Sequence, residues 1–184
     1  MEKYSPQLAK LRREVRDTQA DWKASQIKVP LRTVYLCGPI TGLTYGDAKD
    51  GWRVAFAELL PPHVMPLSPM RVVSKLMPEQ GLKDMPQADG VNAMLINRAI
   101  LARDEADIRN CDAVVACFLG ATIASQGSVA ELGMAHILRK PVIGIMEPEG
   151  NVHEHPFVTS IMGFRAETLD EAASIVTHLF TPGV

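Results

Sequence analysis

Short apolar runs alternate along this chain with stretches of helical spacing. Three of the runs are V-Y-L-C at 34–37, A-V-V-A-C-F at 113–118 and P-V-I-G-I-M at 141–146, and none of them alternates polar with apolar residues. Strands that are apolar throughout are typical of a parallel sheet with helices on both faces. We therefore predict a doubly wound α/β domain, Rossmann-like or flavodoxin-like, with a parallel sheet of four to five strands.

The spacing of apolar residues between these runs predicts the helices. In the domain, taken as 31–184, it predicts helices from about Asp47 to Leu60 and over Asn92–Arg109, Ser128–Leu138 and Leu169–Phe180. Residues 1–30 are predicted to form an N-terminal helical arm, which packs either on the domain or on a partner subunit. The stretch Ser68–Asp89 has no clean period, and a loop of this length is typical of a lid over a pocket.

Charge and cysteine content exclude several classes of function. A formal charge of −2 argues against binding to a nucleic acid polymer, which usually requires a basic surface. The three cysteines are an odd number in or beside predicted strands, so we interpret them as core residues of a reducing compartment. The first residues lack the apolar segment of a secretory signal, and no apolar run reaches the ~18 residues of a membrane span. We expect a cytoplasmic protein with no membrane partner.

Glu131 is the first candidate for chemistry. It lies close after the strand at 113–118, near the start of a helix predicted from Ser128, and in open α/β sheets ligands bind at the carboxyl ends of the strands. Two interpretations compete. In the first, Ser128 and Glu131 form a capping box that satisfies the helix's own amides. In the second, Glu131 is a nucleophile toward a sugar carbon, kept ionised by the field of the helix end.

Asp104 is the second candidate. It belongs to the charged segment R-D-E-A-D at 103–107, which is typical of a solvated helix face. However, it precedes Asp112, the last residue before a strand, by two helical turns. From there its carboxylate could point toward the sheet crevice and orient Glu131 or protonate a departing base.

Two loops are candidates for binding. The first contains Gly38, Pro39 and Ile40 in C-G-P-I-T-G, which matches neither the dinucleotide-binding pattern nor the P-loop. Its glycine serves either the turn alone or a backbone contact with a substrate hydroxyl or phosphate. The second offers hydroxyls and amides at a helix start, which suit an anionic or hydroxylated group; its residues are Ser125, Gly127 and Ser128.

No metal site is predicted. The segment His153-Glu154-His155 places two imidazoles two residues apart in a loop bounded by proline, which is a poor match to zinc-ligand spacing.

These residues together give the chain a family resemblance. It resembles the nucleoside 2-deoxyribosyltransferase family, including relatives that hydrolyse nucleoside 5′-monophosphates. The matching segments are V-Y-L-C-G-P-I-T-G at 34–42, R-D-E-A-D-I-R-N-C-D-A-V-V-A at 103–116, S-Q-G-S-V-A-E-L-G-M-A at 125–135 and K-P-V-I at 140–143. The E-L-G-x-A segment is the more specific signal, and the glycine loop alone is not specific.

The resemblance implies roles for the candidate residues. Glu131 matches the nucleophile toward C1′ of the sugar, and Asp104 matches the aspartate beside it that contacts sugar hydroxyls and base. The first loop, with Gly38, Pro39 and Ile40, would close over nucleobase and sugar. Ser125 stands where members that act on free nucleosides often have Asp, and Ser there is more typical of members that accept a 5′-phosphate.

The leading prediction is an enzyme that transfers deoxyribose between nucleobases through a glycosyl ester on Glu131, without metal or organic cofactor. The first alternative is a nucleoside 5′-monophosphate N-glycosidase, in which water replaces the second base. The second alternative is a non-catalytic nucleotide-binding module on the same fold. The expected partners are a nucleoside or nucleoside 5′-monophosphate and a free nucleobase, and the resemblance implies a homo-oligomer.

Overall fold

A computed structural model describes residues 30–40, 43, 45–71 and 90–181 of the chain, without the side chains of 45, 49 and 90–96. The predicted arm within 1–30 lies outside these residues, and so does most of the predicted lid at Ser68–Asp89. Both therefore stay predictions. Among the helices of the described residues, none is long and apolar enough to cross a membrane.

One sheet of five parallel strands forms the centre of the fold, in the order β2-β1-β3-β4-β5. Its strands are β1 Arg32–Cys37, β2 Val64–Leu67, β3 Ala113–Cys117, β4 Val142–Ile145 and β5 Phe164–Ala166. The apolar runs of the sequence form β1, β3 and β4, whose residues are buried because helices cover both faces of the sheet. The predicted doubly wound fold is confirmed.

Six helices are found among the described residues: α1 Tyr45–Asp50, α2 Trp52–Leu59, α3 Gly90–Asn110, α4 Gln126–Ile137, α5 Pro156–Ile161 and α6 Leu169–Phe180. The helix predicted from about Ser128 is found and begins two residues earlier. The loop predicted at His153–His155 is followed by α5 and β5, which the sequence analysis did not predict. The strand β5 is only three residues long and two of them are exposed, so it lacks the apolar run that marked the other strands.

Alternate residues of each strand enter two separate cores. Val34 and Leu36 face the core beneath α2 and α6, together with Phe56 and Val176. Tyr35 and Cys37 face the opposite core beneath α3, α4 and α5; its helix residues include Ile108, Leu132 and Val158. The three cysteines are buried and unpaired, which confirms their predicted place in the core. Tyr35 thus lies on the same side of the sheet as α4.

The strand order places a crevice between β1 and β3. The chain passes from β1 to its neighbour β2 on one side and returns to β3 on the other, so the connections leave β1 and β3 in opposite directions. Cys37 at the end of β1 is in register with Ala116 near the end of β3, so both strands end at the same edge. Such a reversal is where open α/β sheets bind their ligands.

Candidate active site

A cleft of about 530 Å³ lies at this reversal, between the loop after β1 and the start of α4. Its walls are Gly38, Pro39, Ile40, Ile123, Ala124, Ser125, Gln126, Gly127, Ser128 and Glu131. Every site residue predicted from the sequence lines the cleft except Asp104. The structure therefore brings together two loops that are about ninety residues apart in the chain, with one carboxylate between them.

Glu131 is held from the sheet and not from its own helix. Its Oε1 accepts a hydrogen bond of 2.9 Å from the hydroxyl of Tyr35, which is buried on β1. The capping box is wrong, because the N-cap of α4 is Ser125, whose Oγ accepts the N–H of Ser128 at 3.3 Å. Glu131 lies in the second turn of α4, beyond the reach of the helix-end field, so that predicted source of ionisation is also wrong.

Burial dominates the electrostatics of Glu131. Desolvation raises the pKa of its carboxyl group, the thiol of Cys37 and the hydroxyl of Tyr35 lower it, the charge of Asp104 raises it and that of Arg53 lowers it. A carboxylate with little water around it is a costly charge in the folded protein. The surroundings of Glu131 therefore favour its neutral form more than water does.

Asp104 lies on α3 and is buried, so its interpretation as part of a solvated face is wrong. Its Oδ1 accepts hydrogen bonds from Nε and Nη2 of Arg103 at 3.0 and 2.8 Å, and Nη2 also donates to the carbonyl of Pro69 at 2.7 Å. Burial raises the pKa of Asp104 and the Arg103 hydrogen bonds lower it. It does not line the cleft, yet its charge raises the pKa values of both Glu131 and Tyr35.

Arg53, which the sequence reasoning missed, supports the first loop. This buried side chain on α2 donates to the carbonyls of Ala48 at 2.7 Å, Gly38 at 3.0 Å and Leu36 at 3.4 Å. A Cβ at Gly38 would lie 2.8 Å from the carbonyl oxygen of Cys117, so only glycine allows this approach of β1 to β3. Nothing in a single sequence separates Arg53 from an ordinary surface arginine on a helix.

Ser125 and Ser128 pair with each other at the start of α4. Their Oγ atoms are 2.9 Å apart, and Ser128 is buried. The N–H of Ser125 donates to Nε2 of the buried His153 at 2.7 Å. The sequence had suggested His153 only as a weak metal ligand. In the part of the chain that the structure describes, no group of three His, Cys, Asp or Glu is placed to hold a metal ion.

Comparison with known proteins identifies the family of the chain. The family model of nucleoside 2-deoxyribosyltransferase matches residues 34–172, which is most of the sequence. The chain belongs to the nucleoside 2-deoxyribosyltransferase family. The predicted enzyme class, glycosyl transferase or N-glycosidase, is thereby confirmed. No curated protein matches the chain significantly in sequence.

Three solved structures are similar to this one. A 2-deoxyribosyltransferase from Bacillus psychrosaccharolyticus aligns with a TM-score of 0.55 at 17% identity, over 83% of this chain and 99% of that chain. A conserved protein from Enterococcus faecalis V583 aligns with a TM-score of 0.57 at 13% identity, over 81% and 99% of the two chains. The CMP N-glycosidase BcmB from Clostridium botulinum aligns with a TM-score of 0.44 at 13% identity, over 79% and 98%. The first two show that this family member shares their fold.

The buried charge of Glu131 generates a prediction on stability. Because its pKa is raised above the usual 4.5 on folding, the folded protein binds more protons than the unfolded chain between the two pKa values. The free energy of unfolding must therefore fall as pH rises through that window. We expect Glu131→Gln to raise the free energy of unfolding at pH 7 by about 1 kcal/mol in urea titrations.

The stabilisation of Glu131→Gln relative to the parent chain should be smaller at pH 4, because the raised pKa of Glu131 favours its protonated form there. Glu149→Gln, at an exposed carboxylate, is the matched control and should change little. A Glu131→Gln variant that is less stable than the parent at pH 7 would contradict this description of the site.

Proposed function

We propose that this enzyme breaks the N-glycosidic bond of a 2′-deoxynucleoside with Glu131 as nucleophile and transfers the sugar to a second nucleobase. The observation that supports this most is the carboxylate of Glu131, which lines the cleft and is bonded to Tyr35 instead of capping its own helix. A carboxylate that served only to stabilise α4 would need no hydrogen-bond partner on strand β1.

The reaction has two displacement steps. An oxygen of Glu131 forms a bond to C1′ as the bond from C1′ to the base nitrogen breaks, and the leaving nitrogen keeps the electron pair and receives a proton. A nitrogen of the incoming base then attacks C1′, releases the carboxylate and loses a proton. Two displacements at one carbon give net retention of configuration. The first step neutralises the buried charge of Glu131, and the second restores it.

Asp104 is proposed as the residue that relays the proton to the leaving base. Its support is electrostatic: burial raises its pKa, which moves the carboxyl group toward a range where it can hold and release a proton. Its charge also influences Glu131. Arg103, which is bonded to Asp104, would fix the orientation of the carboxyl group during this exchange.

Hydrolysis of a nucleoside 5′-monophosphate is the second candidate, supported by the two serines at the start of α4. An aspartate at 125 would repel a phosphate, whereas the hydroxyls of Ser125 and Ser128 and the amides of the first helical turn can donate to one. Water would then replace the second base at C1′. The binding-module alternative differs from both, because it has no reaction for Glu131 to perform.

One set of incubations separates these functions. The chain is mixed with deoxyadenosine and cytosine, and separately with ribo- and deoxyribonucleoside monophosphates, and the products are resolved by chromatography. Deoxycytidine and adenine indicate transfer, and a free base with a sugar phosphate indicates hydrolysis. We expect Glu131→Ala to lower the rate by about 10⁴-fold, while Glu149→Gln retains it. Full activity in Glu131→Ala would exclude the proposed nucleophile.

Tyr35→Phe tests the electrostatic part of the proposal. Loss of the hydroxyl removes a hydrogen bond to the charged form of Glu131, so the pKa of Glu131 should rise further. The acid limb of the pH profile of kcat/KM should move to higher pH. At a given pH on that limb, kcat/KM should be about tenfold lower than in the parent enzyme. At alkaline pH, where Glu131 is ionised in both proteins, the rates should converge. An unshifted acid limb would show that Tyr35 does not act on the ionisation of Glu131.

Three further predictions belong to this proposal and await their own measurements. They are a homo-oligomeric assembly, which the mass in solution tests, a cytoplasmic location, and a pathway role in nucleoside or nucleotide salvage.

A further inference from the structure

His153 holds Ser125, the N-cap residue of helix α4. His153 is 2% exposed, and its Nε2 accepts the backbone N–H of Ser125 at 2.7 Å. Ser125 is the N-cap of α4 and also lines the cleft. A buried ring from the segment after β4 therefore fixes the backbone of a cleft wall that follows β3.

This contact requires one tautomer of the ring. A ring nitrogen that accepts a hydrogen bond carries no proton, so the neutral ring of His153 has its proton on Nδ1. Nδ1 lies 3.3 Å from Oδ1 of Asn151, which also accepts the backbone N–H of His153 at 2.8 Å. Burial lowers the pKa of His153, which favours the neutral ring. The donor and acceptor pattern is thus consistent at each atom.

The same network holds the other end of the segment between β3 and α4. Nδ2 of Asn151 donates to the carbonyl of Phe118 at 2.8 Å and to Oε2 of Glu147 at 2.5 Å. Oε1 of Glu147 accepts the N–H of Gly120 at 2.7 Å. The ring of Phe118 stacks on that of His153 with centroids 4.0 Å apart. The segment is therefore anchored near both its first and its last residue.

Between these anchors the segment has little burial of its own. Thr122, Ile123 and Ala124 are exposed, and Ile123 and Ala124 line the cleft. A stretch with few buried contacts depends on its ends for its position. The geometry of this wall of the cleft therefore depends on the two anchors.

We infer that His153 is a positioning residue: it sets the place of Ser125, and so of the substrate-binding wall of the cleft, without touching the substrate. This inference rests on the proposed function, to which it adds that Ser125 and Ser128 contact the 5′ group of the substrate, whether a hydroxyl or a phosphate. Glu131 is held independently by Tyr35 on β1. Loss of the His153 contact should therefore weaken substrate binding much more than it slows the chemical step.

Three substitutions divide the contacts of His153. His153→Gln offers an amide oxygen at about the distance of Nε2 and so can still accept from Ser125. His153→Asn is shorter and can keep only the contact with Asn151. Both lose the ring and only the Gln variant keeps an acceptor for Ser125, so protection of the Ser125 amide in Gln but not in Asn reports on that bond. His153→Phe keeps the stack on Phe118 and loses both polar contacts, and His178→Gln on the exposed side of α6 is the control.

The first measurement needs no activity. We expect hydrogen exchange at the amide of Ser125 to accelerate by about tenfold or more in His153→Asn and His153→Phe, and to stay near the parent rate in His153→Gln and His178→Gln. The second measurement is steady-state kinetics. KM should rise roughly tenfold in His153→Asn and His153→Phe with kcat changed less than about twofold, and His153→Gln should restore KM.

Unchanged exchange at Ser125 in His153→Asn would overturn the inference, and so would a loss confined to kcat. If His153→Phe does not fold, the comparison of Gln with Asn still decides. The proposed function fails separately: if the parent chain processes no nucleoside or nucleotide, that function is wrong, while the exchange measurement still shows whether His153 holds Ser125.

Discussion

The hydrogen bond from the hydroxyl of Tyr35 to Oε1 of Glu131 determines what this site can do. It joins β1 to α4 across 96 positions of the chain and orients the carboxylate toward the cleft. The bond also offsets part of the cost of a charge that burial would otherwise leave poorly solvated. Among the described residues, the hydroxyl of Tyr35 thus links the carboxylate in the cleft to the central sheet.

Buried polar side chains hold both walls of the cleft around this pair. Arg53 fixes the first loop through backbone carbonyls, including that of Gly38. His153 fixes the second through the amide of Ser125. A buried polar group is tolerated when its hydrogen bonds are made, and such a group then holds the backbone more precisely than apolar packing does. These buried hydrogen bonds lie at the carboxyl edge of the sheet, where open α/β folds bind their ligands.

The apolar runs predicted the fold because each central strand is covered on both faces, and burial on both sides leaves a plain signature in sequence. The site was harder to predict, since S-Q-G-S-V-A-E fits two capping patterns: Ser125 with Ser128, and Ser128 with Glu131. The local sequence does not choose between them. The choice depends on Tyr35 and His153, which are distant in the chain and take the carboxylate and the amide respectively. Arg53 and β5 were missed for a related reason, because their burial or pairing comes only from tertiary contacts.

The most direct test of this account is to stop the parent enzyme with acid during turnover of a deoxynucleoside and analyse its peptides by mass spectrometry. We expect a fraction of the peptide that contains Glu131 to have gained one dehydrated deoxyribose, with fragmentation placing the sugar on that side chain. A nucleophilic carboxylate would be contradicted if turnover is rapid in the same sample and every peptide containing Glu131 is unmodified at all quench times.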